Sequence, residues 1–406
     1  MQVRKVVIDN FRNKSHLELD FGRRLTILVG ENGSGKTTVL DAVSIGLGAV
    51  LTLLPKVSGI TFKKTDIQQK SNTKAAFTRI RIETFSDLFW DRTERRDKSK
   101  NTISSIPPSV GLLKLREFIN NNVIDPFNED KDFILPVYSY YGVSRALLDV
   151  PLRRRGFPKT HQRFESLENS LNAISRFKSA FVWFYNKENE EQRLQKEVRD
   201  FDAKLPQLET VRNAIIKFFP GVTEPHILLN PLRFAVKMNN EVLDIMQLSD
   251  GYKTLLSLVV DLSTRLTLAN PKMDNPLLAP ATVLIDEIDL HLHPQWQRKI
   301  IGDLLNTFPN TQFILTTHSP YILEALNNHL MRYNIKELPF DDPIVNDIFP
   351  LSANDVEAYF FDNGNCLNIL NREVNLIDDK LIHPFNDLAA VYDRMRDVQW
   401  KSEKHD

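Results

Sequence analysis

Apolar and polar positions divide the chain into strand-like and helix-like stretches. Near the start, residues 3–8 are rich in apolar side chains, Leu17-Glu-Leu-Asp-Phe21 alternates, and residues 25–29 form a short apolar run. Period-two alternation and compact apolar runs predict a β-hairpin leading into a third strand. A helix is expected from about residue 35 to 54. The β-branched and aromatic runs at 75–92 and 132–142 predict further strands. Residues 91–109 are charged and then rich in serine and proline, which predicts an exposed loop.

The pattern then changes. Leu167, Leu171, Ile174 and Phe177 recur at helical spacing, and residues 188–208 are densely charged with sparse apolar positions. This predicts a helical insertion, or lid, over residues 144–219. Residues 220–236 return to loop and strand. Residues 248–326 read as helix, strand, helix, strand, helix, an alternation that argues for a largely parallel sheet with helices on its faces. Near the end, Asn363-Gly364 marks a hairpin, and Leu388, Val391, Met395 and Val398 mark a final amphipathic helix. The expected organisation is an α/β protein in four parts: an N-terminal lobe (1–143), the insertion (144–219), a C-terminal lobe (220–335) and a small α+β extension (336–406).

Composition narrows the partners. The 406 residues carry 52 basic and 52 acidic side chains, so no global basic field draws in nucleic acid. A nucleic-acid contact would need a local patch, for which Arg153, Arg154 and Arg155, followed by Lys159, His161 and Arg163, are the candidate; a solvated loop is the alternative. Cys366 is the single cysteine, which excludes a disulfide framework and fits a cytoplasmic setting. No window has the roughly 18–20 uninterrupted apolar residues that a membrane span needs, and the first residues lack the apolar stretch of a signal peptide.

The chemistry is concentrated in three segments. Gly30-Glu-Asn-Gly-Ser-Gly-Lys36-Thr37 fits the phosphate-loop pattern and lies between a predicted strand and a predicted helix. Glycines let backbone amides close on phosphate oxygens, and the helix start favours an anion. Asn32, Gly33, Ser34, Gly35, Lys36, Thr37 and Thr38 are therefore the expected nucleotide contacts. Lys36 supplies charge to the terminal phosphates of ATP, and the Thr37 hydroxyl is a ligand for Mg2+. The apolar strand Thr282-Val-Leu-Ile ends in Asp286 and Glu287. Asp286 is the expected second metal ligand, and Glu287 the group that orients the attacking water. A third strand, Phe313-Ile-Leu-Thr-Thr, ends in His318, expected to sense the γ-phosphate or the water.

Leu248-Ser249-Asp250-Gly251-Tyr252-Lys253, at the start of an apolar helix, resembles the signature of ABC ATPases. Together with Asn10-Phe11-Arg12 and the run Ile285-Asp-Glu-Ile-Asp-Leu-His-Leu-His-Pro294, it makes the chain similar to the SMC/RecF branch of that class. More narrowly, Leu135-Pro-Val-Tyr-Ser-Tyr-Tyr-Gly142-Val-Ser-Arg145 and Trp183-Phe-Tyr-Asn-Lys-Glu-Asn189-Glu resemble the family of predicted ATP-binding proteins involved in virulence. That family includes ATPase subunits of Septu-type and retron-linked anti-phage systems.

The resemblance implies an ABC-type P-loop ATPase head that dimerises head-to-tail, as a dimer or a multiple of dimers. Ser249, Asp250, Gly251 and Asp289 would then act in trans, and Phe11 and Arg12 would lie near the base and phosphates. It also implies control of a separate effector, a nuclease, with a RecF-like DNA-binding ATPase of DNA repair as the alternative. Two departures stand out. Asp250 replaces a glycine of the usual signature. No glutamine follows the 135–141 strand, where this class places a metal and water contact, leaving Tyr141, Ser144 or Arg145 as substitutes. A transporter subunit is disfavoured by the His-x-His-Pro run. A zinc site at His291, His293 and His318 is disfavoured, as is a nuclease centre at Glu373, Asp378 and Asp379.

Overall fold

The computed structural model describes residues 1–70, 73–146, 151, 157, 161–173, 177–338, 342–362 and 364–377. The expected N-terminal hairpin is present as β1 (Val3–Phe11) and β2 (Lys14–Asp20), paired antiparallel. They join β4 (Phe77–Thr84) and β5 (Phe89–Arg95) in a four-stranded antiparallel sheet ordered β2-β1-β4-β5.

The third strand, β3 (Leu25–Gly30), leaves for a second sheet. There it lies beside β11 (Thr311–Thr317), which pairs with β10 (Ala281–Ile285), which pairs with β6 (Val137–Tyr141). All of these pairings are parallel, and every residue of the four strands is buried. Burial on both faces is what near-continuous apolar runs predict for a parallel sheet.

Helix α1 (Lys36–Leu51) lies between the two sheets and touches strands of both. It is apolar nearly all round because both of its sides are covered. Trp90 Nε1 donates to the Gly46 carbonyl oxygen at 2.9 Å, and a side chain at Gly46 would meet Ile82. Buried Gln312 ties the sheets together: its amide donates to the carbonyls of Val3 and Gly22, and its carbonyl accepts from the Val3 amide.

On the other flank, α2 (Phe177–Val198) and α3 (Pro206–Phe218) form a helical pair packed on α4 (Asp250–Ala269), which itself rests on β6. A three-stranded antiparallel sheet of β7 (Val222–Leu229), β8 (Leu232–Met238) and β9 (Glu241–Asp244) leads into α4. Helices α5 (Ile300–Thr307) and α6 (Pro320–Asn334) complete the predicted alternation.

Three expectations are corrected. The helical spacing of Leu167, Leu171 and Phe177 does not mark one helix: Arg163–Leu167 is a single 3-10 turn, residues 168–173 are turn and bend, and α2 begins at Phe177. Its apolar positions Phe164, Leu167 and Leu171 are nonetheless buried, so the spacing recorded burial without a continuous helix. Residues 91–109 are not wholly an exposed loop, because Asp91 lies in β5, is buried, and accepts from Arg79, Ser109 and the Val110 amide.

The third correction concerns part of the expected C-terminal extension, whose strands between residues 356 and 368 belong to the central sheet. Strand β12 (Val356–Asp362) pairs in parallel with β3 inside the central sheet, and β13 (Asn365–Asn368) adds the antiparallel edge. The central order is therefore β13-β12-β3-β11-β10-β6. Asp362 and Asn365 pair across the expected hairpin. Asn363 itself, Ile174, Asp378, Asp379 and the terminal segment with Leu388, Val391, Met395 and Val398 lie outside the described residues. Among the described residues no helix is long and apolar enough to cross a membrane.

Candidate active site

Parallel strands carry their C-terminal ends to one edge of the sheet, which is where α/β sheets bind ligands. The ends of β3, β10 and β11 bring Gly30, Ile285 and Thr317 to that edge, each followed by one of the chemical segments. A cavity of about 200 Å³ opens there, lined by Asn13, Asn32, Gly33, Gly35, Lys36, Thr37, Thr38, Asp286 and Glu287.

The loop's backbone requires its glycines. Gly33 and Gly35 have φ of 80° and 105°, and Gly30, at 148°, lies so close to Phe361 that an added side chain would strike its carbonyl oxygen. Lys36 is buried and donates to the carbonyls of Gly30 and Glu31, both at 2.7 Å. Burial lowers the pKa of its ammonium, with Asp286, Glu287, Asp289 and Glu31 pulling the other way. The Ser34 hydroxyl is buried without a partner among the described residues.

The expected metal ligands meet. Thr37 Oγ1 donates to the Asp286 carboxylate at 3.0 and 3.1 Å to its two oxygens. Thr316 Oγ1 donates to Asp286 Oδ1 at 2.6 Å and accepts from the Glu287 amide at 2.7 Å. A hydroxyl and a carboxylate converging at a phosphate cradle are hard oxygen donors suited to a divalent cation. Glu287 has φ of 49°, a left-handed conformation uncommon for a residue other than glycine, asparagine or aspartate. Strain of this kind clusters at functional sites.

His318 stands next to β11 with its side chain half-exposed, and its Nδ1 lies 3.3 Å from Asp289 Oδ2. Asp289, expected in the loop that crosses the dimer interface, is buried in the single chain, where the Thr317 hydroxyl donates to it at 2.5 Å and His318 Nδ1 lies beside it.

Phe11, expected near the base and phosphates, is wholly buried and packs edge-on against Phe62 at 6.3 Å between ring centroids. Arg12 is held by Asp41 on α1 (2.5 Å) and by Asp66 (2.9 Å).

Ser249 caps α4, accepting from the Tyr252 amide, and is exposed together with Asp250. Asp250 is paired with Lys253 at 3.1 Å. A side chain at Gly251 would strike the His291 carbonyl oxygen. Of the other two histidines weighed for zinc, His291 is exposed and His293 caps the short helix Pro294–Gln297. Among the described residues no cluster of His, Cys, Asp and Glu gathers to hold a metal.

The candidates for the missing glutamine are also resolved in part. The Tyr141 hydroxyl donates to Asp261 at 2.8 Å, and Arg145 is buried against backbone carbonyls, whereas Ser144 is partly exposed. Tyr138 and Tyr140 are buried in the core. Of the basic candidates, Arg153, Arg154, Arg155 and Lys159 lie outside the described residues. His161 pairs with Glu165, and Arg163 donates to the carbonyls of Ala269 and Phe133, a structural role.

Sequence reasoning passed over Asn13, Lys14, Thr316 and Thr317. The last two alternate faces immediately before His318, a signal present in Thr316-Thr317-His318. Lys14, which is buried against Gly35 and donates to the Gly364 carbonyl, has no such signal.

A glycine loop between strand and helix, facing an acid pair at the end of a neighbouring parallel strand, defines a P-loop ATPase head. The chain belongs to the AAA-domain ATPases: a family model described as an AAA domain matches residues 5–217, and one described as an AAA ATPase domain matches residues 157–323. It is 30% identical to "Retron Ec83 probable ATPase" of Escherichia coli, over 81% of this chain and 70% of that protein. It is 28% identical to "Retron Vc95 probable ATPase" of Vibrio cholerae serotype O1 biovar El Tor, over 84% and 74%. Its fold is similar to a crystal structure of an Smc head bound to the C-winged helix domain of ScpA, with a TM-score of 0.50 and 16% identity, covering 91% of this chain and 98% of that one. The fold is that of an SMC-like ATPase head, and its reaction is ATP hydrolysis.

Proposed function

We propose that this ATPase is a Mg2+-dependent switch that dimerises head-to-tail around two ATP molecules and controls a separate effector, a nuclease, in bacterial anti-phage defence. The observation that carries the dimer is the division of the site. Lys36, Thr37, Asp286 and Glu287 line one cavity, while the capped start of α4 at Ser249 is exposed and absent from that lining. A capped helix start with free amides is an anion cradle, and a second copy could bring it to the γ-phosphate. The Asp250–Lys253 pair tempers the charge that a carboxylate would otherwise place there. The likeness to two retron ATPases supports the defence role.

In this mechanism Mg2+ would neutralise charge developing on the phosphates, held by Thr37 and Asp286. Lys36 and the loop amides bind the terminal phosphates, Glu287 orients and polarises the attacking water, and His318, held by Asp289, donates to the γ-phosphate. Closure on ATP and opening after hydrolysis would be the signal to the effector.

The test is the solution mass of Glu287→Gln with and without ATP and Mg2+, alongside Lys36→Ala. ATP should drive Glu287→Gln to a dimer or a multiple of dimers and leave Lys36→Ala unchanged. A mass indifferent to nucleotide in both would overturn the composite site.

A further inference from the structure

We propose that Arg145 is a positioning residue for hydrolysis: its guanidinium grips the backbone of the acid pair and thereby aims the Glu287 carboxylate. The inference rests on the reading that Asp286 and Glu287 are the catalytic acids.

Arg145 lies on the 3-10 turn Val143–Ala146 that follows β6, and it is completely buried. Its Nη1 donates to the Asp286 carbonyl oxygen at 2.5 Å and to the Gly142 carbonyl at 3.2 Å, and its Nη2 donates to the Glu287 carbonyl at 2.5 Å. Its Nε–H has no partner among the described residues. A buried cation whose bonds go to carbonyls rather than to a carboxylate is costly. Burial accordingly draws its pKa down to about 10, with the acids Asp286, Asp289 and Glu287 opposing the shift.

The geometry explains what the cation gains. In an extended strand successive carbonyls point to opposite sides, so one guanidinium cannot take two in a row. The left-handed turn at Glu287 (φ 49°) breaks that alternation and brings the carbonyls of Asp286 and Glu287 to the same fork. The planar fork of arginine suits two neighbouring oxygens, whereas a lysine offers a single point charge. The same peptide is fixed from its other end, where the Glu287 amide donates to Thr316. With its amide and both flanking carbonyls held, the Cα–Cβ bond of Glu287 has a set direction, and its carboxylate is delivered to the cavity it lines. Arg145 itself is not among the residues lining that cavity. It therefore acts through Glu287 and not on ATP.

The test is a cycle of Arg145→Gln, Glu287→Gln and the double variant in the full chain, reading single-turnover ATP hydrolysis, nucleotide affinity and thermal melting. Arg145→Gln should slow hydrolysis by about 100-fold, the effect of a misaimed group, with nucleotide affinity within about threefold of wild type. The double variant should be no slower than Glu287→Gln alone, because a misaimed carboxylate costs nothing once that carboxylate is gone. Arg145→Lys should recover only part of the rate.

Losses that multiply in the double variant, or a rate unchanged by Arg145→Gln, would overturn the proposal. If Arg145→Gln does not fold, Arg145→Lys decides it: a fall of about tenfold at unchanged affinity supports the fork, and a wild-type rate overturns it. Full turnover by Glu287→Gln would instead sink the acid-pair reading itself, a result distinct from either.

Discussion

Thr316 uses one hydroxyl twice, donating to Asp286 and accepting from the Glu287 amide. Valine has nearly the same shape but neither function, so Thr316→Val isolates the two bonds. It leaves a buried amide without its acceptor, which costs about 1–3 kcal/mol. Thr316→Val is expected to melt earlier by a corresponding amount, to hydrolyse ATP at least about tenfold more slowly, and to bind nucleotide as before, since the phosphate loop is untouched. Steady-state kinetics with a binding titration check this; a raised KM at unchanged kcat would contradict it. Thr317 does the matching work one residue on, fixing Asp289 and through it His318. Alternation along one strand thus sends adjacent threonines to the two separate acids.

At the scale of elements, the helical pair α2–α3 meets the three-stranded sheet through a cluster of charges. Arg212 on α3 pairs with Glu188 and Glu191 on α2 and with Glu209. Glu188 also accepts from the Ile227 amide of β7. Burial pushes the Glu188 carboxyl up to about 7, overcoming the opposite pull of that amide and of Arg212. A carboxyl with a raised native pKa binds its proton more tightly in the folded chain than in the unfolded one. Its contribution to stability is therefore complete below the ordinary carboxyl range and is lost as pH rises toward 7. Wild type should lose stability across roughly pH 4.5 to 7 at this junction, and Glu188→Gln, which cannot titrate, should flatten the slope. Melting curves at three pH values across that range test it; parallel slopes for both proteins would refute it.

At the scale of the whole molecule, the central sheet is assembled from distant parts of the chain. β3 is flanked by β11 on one side and by β12, from residues 356–362, on the other. The start of the phosphate loop at Gly30 is thereby pressed against Phe361. A chain ending at residue 338 would leave β3 with an unpaired edge and an uncovered loop. It is expected to express poorly or to melt at least about 5 °C lower, and to bind ATP more weakly. A truncated chain with unchanged melting and affinity would show that the loop is set by β3 and α1 alone.

Much of the site was legible beforehand because its chemistry is written in contiguous runs. The phosphate loop, the acid pair and His318 each sit directly at a strand end, and local periodicity identifies those strands and the helices after them. Asp286 and Thr37 could be matched as partners from chemistry alone, and they lie in hydrogen-bond contact. What depended on tertiary structure was every role assigned by long-range packing. Phe11 is wholly buried, with Phe62 packed against its ring. Asp289 faces its own chain because Thr317 reaches it. Residues 356–362 belong to the central sheet because they pair in parallel with the edge of β3 opposite β11. Arg145 stands between the two kinds of knowledge. Its position was visible in sequence, but its grip on two successive carbonyls exists only because a left-handed turn at Glu287 points both of them the same way.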